Sequence, residues 1–197
     1  MTVSGKKIGF GVTGSHCTLE EVLPVMKELK EAGNTVYPFL TPTVLKTDTK
    51  FGASEKWKQA VIEATDKEPI TTIVDAEPFG PKTPLDVMVI APLTGNSLAK
   101  MANALTDSAV LMAAKATLRN QGPVVLAIST NDALGLNGSN LMKLMQAKNI
   151  YFVPFGQDHP EKKPNSLVAE MKEIPATINK ALDGQQIQPV LVQKVID

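Results

Sequence analysis

Short apolar runs alternate with helical apolar spacings along the chain. Ile8–Val12 is an apolar run that breaks into Gly, Thr and Ser, and it predicts a first strand. Val22, Val25, Met26 and Leu29 then recur at helical spacing and predict a helix over Thr18–Ala32. Thr18 and Glu21 fit a capping box, Gly33 fits a helix stop, and Pro24 predicts a kink in the first turns. Thr35–Leu40 predicts a second strand, placed near a sheet edge by Pro38. Ser54 to Thr65 predicts a helix capped by Ser54, and Ile70–Val74 a third strand. Asp86–Ala91 is continuously apolar, as in a strand buried on both faces, and Pro92 ends it. Leu98, Met101, Ala102 and Leu105 predict the next helix, with Asn96 or Ser97 as its cap. A further helix runs from Asp107 to Leu118. Pro123–Ile128 and Ile150–Val153 predict strands, with a helix over Ser139–Ala147 between them. A last helix covers Ser166–Leu182 and stops at Gly184, and the tail adds one extended piece.

Repeated strand–helix units predict an α/β fold: a Rossmann-like, doubly wound parallel sheet of about six strands in three α/β/α layers. Residues 1–197 read as one domain, with 156–197 as a C-terminal tail of loop and helix. The long irregular stretches Asp75–Leu85 and Gly156–Asn165 each follow a predicted strand. Both are therefore expected at the carboxyl edge, where open α/β sheets bind ligands.

Composition narrows the chemistry. Lys plus Arg balance Asp plus Glu at 20 each, which disfavours a dedicated nucleic-acid binder. One Cys excludes an intrachain disulfide framework, and one Cys with two His disfavours structural zinc, so no metal site is predicted. The apolar runs are too short to span a membrane, and the first residues show no signal-peptide pattern; a cytoplasmic protein is expected.

The segment Gly9-Phe10-Gly11-Val12-Thr13-Gly14-Ser15 closes the first strand. Its glycines admit close ligand approach, and the following helix aims N–H groups at an anion. Gly9-x-Gly11-x-x-Gly14 matches the dinucleotide spacing, but no acid ends the second strand at Thr41-Pro42-Thr43 to hold a ribose. The same glycines begin like a Walker A loop, yet Ser15-His16 stands where Lys-Ser/Thr is required. A mononucleotide fits the loop, and so does a plain strand-to-helix turn.

A second polar cluster, Pro92-Leu93-Thr94-Gly95-Asn96-Ser97-Leu98-Ala99-Lys100, follows Ala91, and Ala102-Asn103-Ala104-Leu105 and Asp107 continue it. This pattern resembles that of the FMN-binding flavoprotein family, which includes the cysteine decarboxylases. Gly11–Ser15 is similar to that family's first loop, and Pro123–Ala127 with Asn131 to a later strand segment; the likeness covers most of residues 6–155. The resemblance implies a homo-oligomeric flavoprotein that binds FMN. By position, Gly11, Thr13, Gly14 and Ser15 would meet its phosphate or ribityl chain. Thr41 or Thr43 would add a hydroxyl. Pro92, Thr94, Gly95, Asn96 and Ser97 would contact flavin and phosphate, and Ser129 and Thr130 would lie by the ring. Lys100 supports the phosphate or is a solvated surface lysine. A closer likeness inside the family implies a subunit that oxidises a cyclic dicarboxylate in the mother cell during sporulation. Its partner would be a second polypeptide resembling an NADP-dependent dehydrogenase. A non-catalytic stabilising role and an independent NAD-binding enzyme are the alternatives.

The chain departs from the decarboxylases in two places. No His follows the predicted third strand in Val74–Pro81, and Ser129-Thr130-Asn131-Asp132-Ala133-Leu134 keeps only the Asn of the family's Pro-x-Met-Asn-x-x-Met pattern. The substrate candidates are His16, beside the first loop, Asn131, and Lys162 and Lys163, which could meet a dicarboxylate or form a solvated charge run. Cys17 reads as a small buried apolar residue.

Overall fold

The structure, a computed structural model, describes residues 3–193. Strands β1 (Lys7–Val12), β2 (Thr35–Leu40), β3 (Val87–Leu93) and β4 (Val124–Thr130) are parallel, in the order β2-β1-β3-β4. The free edge of β4 is shared. β5 (Ile150–Phe152) runs parallel to its first half, at Val124–Leu126. β7 (Leu167–Ala169) pairs antiparallel with its end, at Ser129 and Thr130, and β6 (Phe155–Gln157) pairs antiparallel with β7. The sheet is therefore mixed and seven-stranded, where the pattern predicts about six parallel strands.

The helices are α1 (Leu19–Glu31), α2 (Pro42–Lys46), α3 (Ser54–Thr65), α4 (Ile73–Ala76), α5 (Gly95–Ala102), α6 (Ala109–Arg119), α7 (Gly138–Met145) and α8 (Ile174–Leu182). α1 packs on α3 and α8, and α6 packs on α4 and crosses β1 to β4. Each layer covers strands whose side chains are buried along almost their whole length, β3 completely. That is why these strands read as unbroken apolar runs rather than alternating ones.

Several expected boundaries hold for the expected reasons. Gly33 ends α1 with a φ of +90°, a conformation that suits glycine. β2 is an outer strand, and Pro38 lies on it where only one short bridge approaches. Leu191 bridges Phe155, which supplies the extended piece of the tail.

Other expectations are corrected. Ile70–Val74 is not a strand: Ile70 makes a single bridge to Phe39, and Thr72 then caps α4 by accepting the Asp75 N–H at 3.1 Å. The pattern Thr72-x-x-Asp75 outweighs the β-branched run. β3 does not stop at Pro92 but continues to Leu93, with a register shift against β4 after Ile90. Ser54 does not cap α3; its N–H and hydroxyl both donate to Asp48 Oδ1, at 2.8 and 3.0 Å. The Ser54 N–H and then its hydroxyl hold the Asp48 carboxyl below its usual range. Thr18 makes no side-chain cap; its hydroxyl donates to Ser15 O at 2.9 Å. The helix expected over Ser166–Leu182 begins only at Ile174, because Pro175 is tolerated in a first turn but not deep inside a helix. The residues ahead of it form β7, so the tail contributes two strands as well as loop and helix.

Candidate functional site

The carboxyl ends of the four long strands converge on two adjoining recesses. The loop after β1 and the loop after β3 are joined through Thr13, whose hydroxyl donates to Pro92 O at 2.6 Å and accepts the Thr94 N–H at 2.9 Å. Thr13 is fully buried, so its hydroxyl is committed to holding these loops in register. Ser15 joins the first loop to the end of β4, its Oγ lying 2.9 Å from Ser129 Oγ. Thr94, not Asn96 or Ser97, caps α5 by accepting the Ser97 N–H at 3.4 Å. Asn96 is left exposed.

The outer recess, about 530 Å³, lies between the first loop, the start of α5, the end of β4 and the β6–β7 flap. Gly14, Ser15, Thr94, Gly95, Asn96, Ser129, Thr130 and Asn131, all candidates from the sequence, line it. The inner recess, about 380 Å³, opens between the end of β2, α5 and the start of α6. Thr41, Thr43, Ser97 and Lys100 line it, and Gly14, Thr94 and Asn96 border both recesses. Thr41 is 7% exposed and its hydroxyl has no protein partner. Such a group is costly to bury unpaired.

Charges are unevenly placed. Lys100 is bound to Asp107, Nζ to Oδ2 at 2.6 Å. The outer recess carries Glu21, Asp132 and Asp158 against one ammonium, Lys163, which is paired with Asp158 at 2.9 Å. The hydrogen bond to Asp158, then its charge, raises the Lys163 pKa. Lys162 is exposed and does not line the recess. The side chain of His16 lies outside the described residues, although its backbone opens the turn before α1. Cys17 is exposed and borders the outer recess, contrary to the buried reading. Its turn precedes α1 proper, so it faces the groove rather than the core. The Asp75–Leu85 stretch borders neither recess, because it leads into the amino end of β3.

Asp132 was missed by sequence reasoning. It accepts from Thr130 Oγ1 at 2.5 Å and from Asn137 Nδ2 at 2.7 Å. It also lies against Gly95, where a Cβ would come within 2.5 Å of its Oδ1. The glycine at the start of α5 therefore makes room for a carboxylate from another strand end. No local signal marks a contact between residues so far apart in sequence. Asp107 was visible only as the end of the polar pattern that begins at Pro92. Among the described residues no group of three or more His, Cys, Asp and Glu could hold a metal ion, and no helix is long and apolar enough to cross a membrane.

The profile of the flavoprotein family matches residues 2–183. The chain is 62% identical over 192 residues to the dipicolinate synthase B-subunit of Bacillus subtilis (strain 168), covering 98% of this chain and 96% of that one. A crystal structure of the dipicolinate synthase B-subunit from Bacillus halodurans C superposes with a TM-score of 0.91 at 63% identity, over 99% of this chain and 100% of that one. The FMN-dependent cysteine decarboxylase SpaF shares the fold, with a TM-score of 0.65 at 21% identity over 90% of this chain and 98% of that one.

Proposed function

The chain belongs to the flavoprotein family, and from that premise we propose that it holds FMN as one component of dipicolinate synthase, in the mother cell during sporulation. The observation that carries the cofactor is the unpartnered, buried Thr41 hydroxyl in a recess that also offers Thr43, Ser97 and Lys100. Three hydroxyls and an ammonium suit a phosphate monoester. The adjoining outer recess has room for a ring system beside Ser129 and Thr130. Gly14 and Asn96 border both spaces, where a ribityl chain would pass. Bound FMN would supply a two-electron acceptor there. The protein would contribute position: Ser15 and Ser129 hold the wall of the outer recess, and Asn131 and Lys163 face the substrate side.

The substrate in this reading is a dihydrodipicolinate-like cyclic dicarboxylate, and its oxidation to dipicolinate removes a hydride equivalent and a proton. The partner is the dipicolinate synthase A-subunit, which would carry NADP, and the chain itself would form a homo-oligomer. One observation favours a second reading, in which this chain supports its partner without performing chemistry. Three carboxylates in the outer recess oppose a dianionic substrate, and the one lysine there is already paired. An independent NAD-binding role has less support, because β2 ends in Leu40 and delivers Thr41 and Thr43 rather than a ribose-binding acid.

Purified protein titrated with FMN decides the cofactor. Quenched flavin fluorescence and a raised melting temperature are expected; neither change would overturn flavin binding. Assaying the A-subunit by itself decides the role. Full dipicolinate formation without this chain would remove it from catalysis.

A further inference from the structure

Lys100 and Asp107 face one another across the wall of the inner recess. Lys100 lies on α5, and Asp107 immediately precedes Ser108, the N-cap of α6. Their charged atoms are 2.6 Å apart, yet their side chains remain 31% and 55% exposed. The pair is therefore hydrated and able to exchange partners, unlike a sealed ion pair. Thr41 lines the same recess, and its hydroxyl is buried and unpartnered. Two independent features thus meet at one place: a residue whose hydroxyl is buried and unpartnered, and a cation already held by a carboxylate.

We infer that Asp107 acts as a brake on Lys100, setting how strongly the inner recess takes a phosphate monoester. This rests on the reading of that recess as the phosphate end of a flavin site. Asp107 holds the ammonium at the recess wall when no ligand is present. An arriving phosphate dianion must share that ammonium with Asp107 and approach its carboxylate, and like charges repel. Lys100 makes the recess select a phosphate-bearing ligand over its dephosphorylated form. Asp107 lowers the affinity of that selection without touching the ring.

The competing account is that the pair only pins α5 to the start of α6. Comparing FMN with riboflavin, which lacks the phosphate, separates the two. The full chain, Lys100→Met, Asp107→Asn and the double variant are titrated with each flavin by fluorescence quenching. Lys100→Met is expected to weaken FMN roughly tenfold, the usual scale for a charge-assisted bond, and to leave riboflavin unchanged. Asp107→Asn is expected to tighten FMN by about two- to fivefold, again with riboflavin unchanged. That gain should vanish in the Lys100→Met background and shrink at high salt. Equal weakening of both flavins by Asp107→Asn would establish the pin and overturn the brake, and so would no change in either. If the unmodified chain binds neither flavin, the cofactor reading fails, and inorganic phosphate decides the brake. A phosphate-induced rise in melting temperature, lost in Lys100→Met and larger in Asp107→Asn, would uphold it. No phosphate response would overturn it.

Discussion

The two ends of the sheet hold their shape by different means. β1, β3 and β4 are long, parallel and buried on both faces, with helices above and below. The β6–β7 flap has three residues per strand, and it is attached through two residue pairs at the end of β4. The side-chain bond from Ser166 Oγ to Asn131 Oδ1 at 3.3 Å adds to that attachment, and the Lys163–Asp158 pair closes the loop within the flap. The parallel half thus combines apolar burial with long ladders, whereas the flap buries Phe155, Leu167 and Ala169 on strands of only three residues. The outer recess opens along the seam between them, where β4 passes from buried Ile128 to polar Ser129 and Thr130.

The largest effect expected from this contrast is in the core. Ile90→Ala, at a fully buried position of β3, should cost about 2–5 kcal/mol in urea unfolding. Leu167→Ala in the flap should cost less, because its short strand can shift into the space. Equal losses would break the comparison. A smaller effect is expected at the seam from Gly95→Ala. The new methyl would meet Asp132 Oδ1 at 2.5 Å, Thr130 Oγ1 at 2.7 Å and Asn137 Nδ2 at 2.8 Å. Displacing them should cost about 1–3 kcal/mol, with faster hydrogen exchange around residues 130–140 and not in β1 or β3. A uniform change would show that the seam is as rigid as the core. The smallest effect belongs to the flap clasp. Lys163→Met should destabilise by less than about 1 kcal/mol at neutral pH, since both side chains are partly solvated. Because the Lys163 pKa is raised, that contribution is full below its ordinary value of 10.5 and is lost as the pH climbs through the raised value. Melting curves of both proteins should therefore converge at strongly alkaline pH. A persistent gap would assign the effect to packing of the lysine stem.

The same contrast explains what could be read in advance. β1, β3 and β4 announced themselves as apolar runs, and Gly33 marked the end of α1. Thr41, Thr43, Thr94 and Asn96 were recognisable as residues at the carboxyl edge because each follows a strand or opens a helix, whereas Lys100 was marked only by the family pattern. β7 was misread as the start of a helix because Leu167-Val168-Ala169 is too short to show a period of its own. Its strand character comes from the pairing edge offered by β4 and β6. Ile70–Val74 failed in the opposite way: β-branched residues suggested a strand, but a local cap and a single available bridge left most of it helical or irregular.

By itself the sequence determined the alternation of strands and helices, the buried parallel core and the hydroxyl-rich character of the carboxyl edge. These follow from apolar periodicity and turn chemistry, which act over a few residues. Tertiary structure alone decided which polar groups are already used. It committed the Thr13 hydroxyl to Pro92 and Thr94, left that of Thr41 without a partner, paired Lys100 with Asp107, and brought Asp132 against Gly95. A hydrogen bond or ion pair is made by distance in space. Residues remote in sequence acquire that distance only when the sheet places their strand ends side by side.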